Sequence, residues 1–128
     1  MRWARAFPVQ EGEADGPAVR RSLRILRQGE PLVIFPEGGR SPDGSLQAFR
    51  PGAFRLALAT GSPVVPVTIA GAFEAWPAQR RLPRRGRITI TYHAPVGEAD
   101  LPPDADRKAR PDLLMAVVRE RIEAALPG

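Results

Sequence analysis

The stretch VIFPEGGRSPDG, Val33 to Gly44, decides how this chain is interpreted. An apolar run, Pro31 to Phe35, stops abruptly at a carboxylate, two glycines, an arginine and a serine. Short apolar runs bounded by glycine and proline are typical of strands that are buried on both faces. The pattern therefore predicts a buried strand over Pro31–Phe35 that ends in a glycine-rich turn.

The remaining chain alternates between helical and extended patterns. Apolar spacing predicts helices over Ala18–Gln28, Gly52–Thr60 and about Pro111–Leu126, the first two ended by Gly29 and Gly61. Strands are predicted over Ala6–Val9, Val64–Ile69 and Arg87–His93. In the last helix, Arg119 and Arg121 fall on the side opposite the apolar stripe, which indicates solvent exposure. This alternation predicts an α/β fold, a small mostly parallel or mixed sheet flanked by helices, with residues 1–128 as one domain.

Composition limits the chemistry that the chain can perform. There are 19 basic and 14 acidic residues, the net charge is +5 and the pI is about 11.1, so anionic partners are favoured. The chain has no cysteine and a single histidine, His93, which excludes disulfides, thiolate catalysis and metal sites built from cysteine or several histidines. No segment has the apolar length of a membrane span, and the N-terminal residues do not resemble a signal peptide.

The residues after the apolar run suit a phosphorylated ligand. Gly38 and Gly39 permit close approach of backbone to ligand, and Arg40 offers a planar fork of donors for phosphate. Glu37 can orient the arginine or accept a hydroxyl group of the ligand, and Ser41 can add a neutral donor. The alternative is a solvent-exposed turn with a weak local ion pair between Glu37 and Arg40.

These residues carry a resemblance to a known family. IFPEGGRS, Ile34–Ser41, resembles the F-P-E-G-T-R-S block of the glycerophospholipid acyltransferase family, which includes the 1-acylglycerol-3-phosphate acyltransferases; Gly39 replaces the threonine. FRPGAFRLALATGSPVVPVTI, Phe49–Ile69, is similar to the family's next segment, and the resemblance covers about Arg5–Val96. It implies that Glu37, Gly38, Arg40 and Ser41 form the substrate phosphate site. It also implies that Phe35, Pro36 and Pro66 lie on the pocket or acyl-donor side.

The resemblance also implies a reaction and a setting. An acyl group would pass from a thioester of coenzyme A or acyl carrier protein to a lysophosphatidate-like acceptor, without a metal or other cofactor. We expect a cytoplasmic protein that is peripheral at the inner membrane face. The basic run RRLPRRGR, Arg80–Arg87, fits an anionic membrane surface, although it is also compatible with a solvated loop. Nucleic-acid binding is the rival from another class, and we do not expect it, because no nucleic-acid-binding motif is visible.

The catalytic H-x-x-x-x-D motif of the family has no counterpart here. No histidine precedes Glu37, where the motif belongs, and His93 is followed five positions later by Glu98 instead of aspartate. We therefore assign no catalytic residue, regard His93 as structural, and expect the chain alone to be inactive. An N-terminally incomplete sequence, through a misplaced start or a fragmentary gene, is the expected explanation. The alternative is a short non-catalytic protein that binds lipid phosphate at the membrane surface.

A second departure concerns the charge around the expected phosphate. The family often has an arginine after its preceding strand, where this chain has Gln10 and Glu11. Glutamine donates a hydrogen bond but carries no charge, so acceptor affinity or identity would differ. Arg20 and Arg21 on the following helix could supply the charge, or they could simply be solvated.

Overall fold

The computed structural model describes residues 16–127. The predicted strand over Ala6–Val9 and the positions of Gln10 and Glu11 lie outside these residues. The chain divides into two compact units, residues 1–34 and 35–128, which are described separately.

The described part of the first unit is centred on one amphipathic helix, α1, Gly16–Arg27. It ends at Gly29, whose φ of +74° is the left-handed conformation that glycine adopts without strain. The N–H of Gly29 donates to the Leu26 carbonyl and that of Glu30 to the Ile25 carbonyl, at 3.0 and 3.1 Å. This pair of bonds is a Schellman cap. The predicted helix and its glycine stop are confirmed.

The second unit contains the remaining elements. In chain order they are α2 (Gly52–Thr60), β1 (Val67–Ala70), α3 (Ala72–Ala75), β2 (Thr89–Tyr92), a 3₁₀ turn (Glu98–Asp100) and α4 (Arg110–Ala124). Helix α2 has the predicted bounds and ends at Gly61 with φ +66°. Helix α4 is also confirmed, starting and ending slightly earlier than predicted.

The core of the second unit lies between α2 and α4. Phe54 and Ala57, three positions apart on α2, meet Leu114 and Val118, four positions apart on α4. These spacings place each pair on one face of its helix. Val96 and Leu101, from the segment between β2 and α4, complete the fully buried cluster. The apolar stripe predicted for the last helix is therefore the surface that packs against α2.

The two strands form an antiparallel ribbon in which Thr68 pairs with Thr91 and Ile69 with Ile90. The face that carries Thr68 is covered by α4, and this side chain is 1% exposed. The opposite face carries Ile69 and Ile90, which are 41% and 53% exposed. The predicted strand over Val64–Ile69 is found in part, as β1 with an isolated bridge from Val64 to Val96, and it is buried on one face only. The α/β class is confirmed, with antiparallel pairing within residues 16–127 where the alternation of elements had favoured parallel pairing.

The predicted buried strand over Pro31–Phe35 is wrong. These residues have no regular secondary structure, and Val33 and Phe35 are 83% and 68% exposed. A strand requires a neighbour for its N–H and C=O groups, and within residues 16–127 none pairs with this run. An apolar run shows a preference for burial, but it does not identify the partner that would provide it.

Candidate functional site

Residues Phe35 to Gly38 form a tight turn. The Gly38 N–H donates to the Phe35 carbonyl at 3.0 Å. Pro36 occupies the second position and Gly38 the fourth, an arrangement that β-turns favour. Gly38 has φ +73°, so a side chain there would strain the backbone. Glu37 is therefore presented from a backbone of fixed shape.

A second segment, residues 46–50, fixes the position of the Glu37 carboxylate. The Gln47 N–H donates to Glu37 Oε2 at 2.8 Å. The Arg50 N–H donates to the Pro36 carbonyl at 2.8 Å. Two hydrogen bonds thus tie the turn to the chain that leads into α2. No ion pair between Glu37 and Arg40 is present within residues 16–127, so the predicted alternative of a local pair does not describe this turn.

Helix α4 holds this second segment through Arg119. Its Nη1 donates to the Gln47 carbonyl at 2.7 Å and its Nη2 to the Leu46 carbonyl at 3.2 Å. Its guanidinium also lies over the Phe49 ring, with Cζ 5.1 Å from the ring centroid. The predicted solvent position of Arg119 is wrong, because a long arginine can leave the polar side of a helix and reach a neighbouring loop. No sequence pattern marks this residue.

The Arg40 side chain reaches Trp76, the residue that follows α3. Its Nη2 donates to the Trp76 carbonyl, and its Cζ lies 5.4 Å from the centroid of the Trp76 ring. Guanidinium groups have five N–H donors, so this contact leaves most of the fork available. The side chain is exposed. Its assignment to phosphate stays a prediction.

Ser41 stabilises the turn that follows. Its hydroxyl donates to the Ser45 carbonyl at 2.7 Å and accepts the Gly44 N–H at 2.9 Å. Asp43 is held in the same turn: hydrogen bonds from the Ser45 hydroxyl and the Ser45 N–H keep the pKa of its carboxyl below the ordinary value of 3.8. Ser41 therefore serves local structure here, and its predicted role as a phosphate donor remains a prediction.

The three residues assigned to the pocket side lie in different environments. Phe35 is largely exposed and Pro36 is half-buried at the turn. Pro66 is fully buried, and its carbonyl accepts the His93 N–H at 2.9 Å. No hydrogen bond in the described part of the chain joins Pro66 to the turn. Their assignment to an acyl-donor pocket stays a prediction.

His93 is engaged by the fold. Its Nε2 lies 2.8 Å from Thr68 Oγ1, and the Thr68 hydroxyl reaches the Ile122 carbonyl at 3.2 Å. Because the threonine has one proton to give and the carbonyl can only accept, Nε2 is the donor to Thr68. The ring is therefore bound to β1, and the Thr68 hydroxyl connects it to α4, as expected of a structural histidine.

The basic run Arg80–Arg87 follows α3 and is exposed along its length. Leu82 and Trp76 are 74% and 45% exposed beside it. Trp76 Nε1 donates to the Arg80 carbonyl at 3.0 Å, so the same tryptophan contacts both Arg40 and this run. Positive charge and apolar side chains are therefore continuous with one end of the site.

Two features are absent from residues 16–127. No group of three or more carboxylates and histidines is placed to hold a metal ion. No helix combines the length and the apolar character needed to cross a bilayer.

Comparison with known proteins now gives the class. A family model described as Acyltransferase matches residues 1–70, more than half of the sequence, and the chain belongs to this acyltransferase family. The family resemblance of the Ile34–Ser41 block is thereby confirmed.

Two individual relatives are both named as 1-acyl-sn-glycerol-3-phosphate acyltransferases. The chloroplastic 1-acyl-sn-glycerol-3-phosphate acyltransferase BAT2 of Brassica napus is 36% identical over 86 residues, 65% of this chain and 25% of that protein. The 1-acyl-sn-glycerol-3-phosphate acyltransferase of Borreliella burgdorferi is 37% identical over 49 residues, 38% of this chain and 20% of that protein. The chain spans about a quarter of the length of these curated relatives.

A solved structure shares the fold. The crystal structure of the 1-acyl-sn-glycerophosphate (LPA) acyltransferase PlsC from Thermotoga maritima matches with a TM-score of 0.69 and 30% sequence identity. The match covers 84% of this chain and 43% of that one. The arrangement of helices and ribbon described above is therefore part of an acyltransferase fold.

Proposed function

We propose that the protein carrying this chain acylates a lysophosphatidate-like acceptor, and that residues 36–50 hold the acceptor's phosphate. The observation that carries the proposal is the turn at Pro36–Gly38. Its shape is fixed by hydrogen bonds from Gln47 and Arg50, and it lies in a chain whose relatives are named as 1-acyl-sn-glycerol-3-phosphate acyltransferases.

The reaction needs a donor, an acceptor and a base. The acceptor's hydroxyl oxygen attacks the carbonyl of an acyl thioester of coenzyme A or acyl carrier protein. A carbon–oxygen ester bond forms, the carbon–sulfur bond breaks, the thiol leaves, and the base takes the hydroxyl proton. No other cofactor is required. His93 is hydrogen-bonded to Thr68, and no other histidine exists in the sequence. We therefore propose that this chain binds the acceptor but does not supply the base.

The phosphate would be recognised by charge. A phosphomonoester near neutral pH carries between one and two negative charges and three acceptor oxygens. Arg40 retains donors beyond the one used by the Trp76 carbonyl. Glu37, held by Gln47, remains able to accept a hydrogen bond from the acceptor's hydroxyl through its second oxygen.

The acceptor is a lipid, and the basic run suits the surface in which it lies. Arg80–Arg87, with exposed Leu82 and Trp76, combines attraction to anionic lipid with apolar contact. We propose that this segment rests on the cytoplasmic membrane face, with Trp76 connecting it to Arg40. Binding to phosphatidate-containing vesicles should weaken as salt increases.

The test uses the native polypeptide that contains this sequence, purified from its source cells. It is assayed with lysophosphatidate and either long-chain acyl-CoA or acyl carrier protein thioester. Phosphatidate should form with one of these donors, and Glu37→Gln should abolish most of it. Glu120→Gln, on the exposed side of α4, should leave it unchanged.

The same assay on the 128-residue chain decides the role of this part. Acyl transfer by the chain alone would refute the proposal that the catalytic base lies outside these 128 residues. If neither form catalyses transfer but both bind phosphatidate vesicles, the non-catalytic lipid-phosphate-binding alternative replaces the enzyme. The separate observation that favours this alternative is the engagement of the only histidine by Thr68.

A further inference from the structure

We propose that Arg50 is a second phosphate-binding residue of this site, in addition to Arg40. The proposal rests on the function proposed above and adds a residue to its acceptor site. It begins from the contact between the Arg50 side chain and Gly38. A Cβ atom built on Gly38 would lie 2.7 Å from Arg50 Nε and 2.9 Å from its Cζ. The guanidinium therefore lies directly against the backbone of the turn.

The backbone of Arg50 is fixed in the same place. Its N–H donates to the Pro36 carbonyl at 2.8 Å. The side chain then folds back over the glycine that follows Glu37. Glycine at position 38 thus meets two needs, a left-handed φ of +73° and room for a guanidinium.

The charge of Arg50 is not neutralised within residues 16–127. Its side chain makes no hydrogen bond and no ion pair there. The two carboxylates of the loop accept hydrogen bonds from other groups, Glu37 from the Gln47 N–H and Asp43 from Ser45, and neither forms an ion pair with Arg50. Arg40, by contrast, already donates to a carbonyl and stacks on a ring. Beside the turn, Arg50 is therefore the arginine whose guanidinium has all of its N–H donors available to a ligand.

This placement suits a phosphomonoester. Arginine binds phosphate through two parallel N–H bonds, and an uncompensated guanidinium attracts the dianion most strongly. Next to Gly38, no atom beyond Gly39 and its two chain neighbours lies within 4 Å of the position where a Gly39 Cβ would stand, which leaves space for the anion.

The experiment measures phosphate binding by the full 128-residue chain with ¹⁵N-resolved NMR, at constant ionic strength. The ligands are inorganic phosphate, glycerol 3-phosphate and lysophosphatidate in neutral micelles, which separates free phosphate from a lipid headgroup. The variants are Arg50→Gln and Arg50→Lys. Arg55→Gln, five positions later and exposed on α2, removes the same charge. The spectra themselves show whether each variant is folded.

All three ligands should shift the amide signals of Gly38 and Gly39. Arg50→Gln should weaken binding roughly 10- to 100-fold, the effect of losing a charged hydrogen-bonding partner. Arg50→Lys should recover part of this loss, because it restores the charge without the fork. Arg55→Gln should change binding less than twofold.

Three results would overturn the proposal. These are a dissociation constant for Arg50→Gln within twofold of the unaltered chain, equal losses for the Arg50 and Arg55 variants, and no binding of any ligand by the unaltered chain. If Arg50 proves indifferent while the native polypeptide still makes phosphatidate, this inference fails and the proposed function stands. If phosphate binding depends on Arg50 but no acyl transfer occurs in the native polypeptide, the binding site stands and the enzyme does not.

Discussion

Replacing Arg119 with alanine should destabilise the second unit measurably, although sequence patterning places this residue in solvent. The change removes hydrogen bonds to the carbonyls of Leu46 and Gln47, and the contact with the Phe49 ring. It also removes an exposed ion pair with Glu123 at 2.9 Å. The single substitution therefore removes four interactions.

The size of the effect follows from these contacts. Hydrogen bonds from a charged donor contribute about 1.5–3 kcal/mol each. The Arg119 side chain is 30% exposed, so water can replace part of what the carbonyls lose, and the lower end applies. The ring contact adds about 0.5–1 kcal/mol, and the surface pair about 0.3–0.5 kcal/mol. Together these contributions predict a loss of about 4 kcal/mol, which is a large fraction of the about 5–15 kcal/mol typical of a domain.

The assay is urea unfolding followed by circular dichroism, with Arg121→Ala as the matched control. Arg121 lies two positions further along α4 and is exposed, and its replacement by alanine removes the same charge. The midpoint for Arg119→Ala should fall with little change in the slope m, and Arg121→Ala should stay within about 0.5 kcal/mol of the unaltered chain. Equal midpoints for the two variants would refute the anchoring role of Arg119.

Three further predictions concern single positions. Gly38→Ala should lower the free energy of unfolding by roughly 1–3 kcal/mol, because the alanine would combine a positive φ with a clash against the Arg50 side chain. Gly39→Ala, in open space, should be near neutral. Equal costs for the two variants in urea unfolding would contradict the reasoning. Thr68→Val should cost roughly 1–3 kcal/mol in the same assay, because the buried Thr68 loses two hydrogen bonds. Thr91→Val on the exposed partner strand should cost little. Asp43 should titrate below 3.8 in a carboxyl NMR experiment. Because its folded-state pKa is lowered, its stabilisation is present above the unfolded value and is lost as pH falls through the folded value; a midpoint at or above 3.8 would contradict this.

Local patterns were sufficient to predict the helices and their ends. The bounds of α2 and its stop at Gly61 were predicted because a glycine in the left-handed conformation is a strong terminator. The apolar stripe of α4 was predicted because its spacing follows the helical repeat, and Leu114 and Val118 are indeed buried. These features depend on neighbours within a few residues, which a sequence shows directly.

Features that depend on distant partners were not predicted. The apolar run Pro31–Phe35 is exposed because burial needs a neighbour, and no pattern within the run specifies one. The family motif likewise identified Glu37 and Arg40, but not that Gln47 would hold the carboxylate or that Trp76 would hold the guanidinium. The sequence separation between partners, 72 residues for Arg119 and Gln47, is what conceals such contacts.

The motif and its support come from different parts of the chain. The turn at Pro36–Gly38 lies within the family-matched residues 1–70, whereas Arg119 lies beyond them. The connection runs from α4 through the Gln47 carbonyl, across that residue to its N–H, and on to Glu37 Oε2. A carboxylate positioned in this way depends on the docking of α4 as much as on its own sequence block. Loss of Arg119 should therefore disturb Glu37 even though the two side chains share no contact, which makes the C-terminal helix part of the site and not only part of the core.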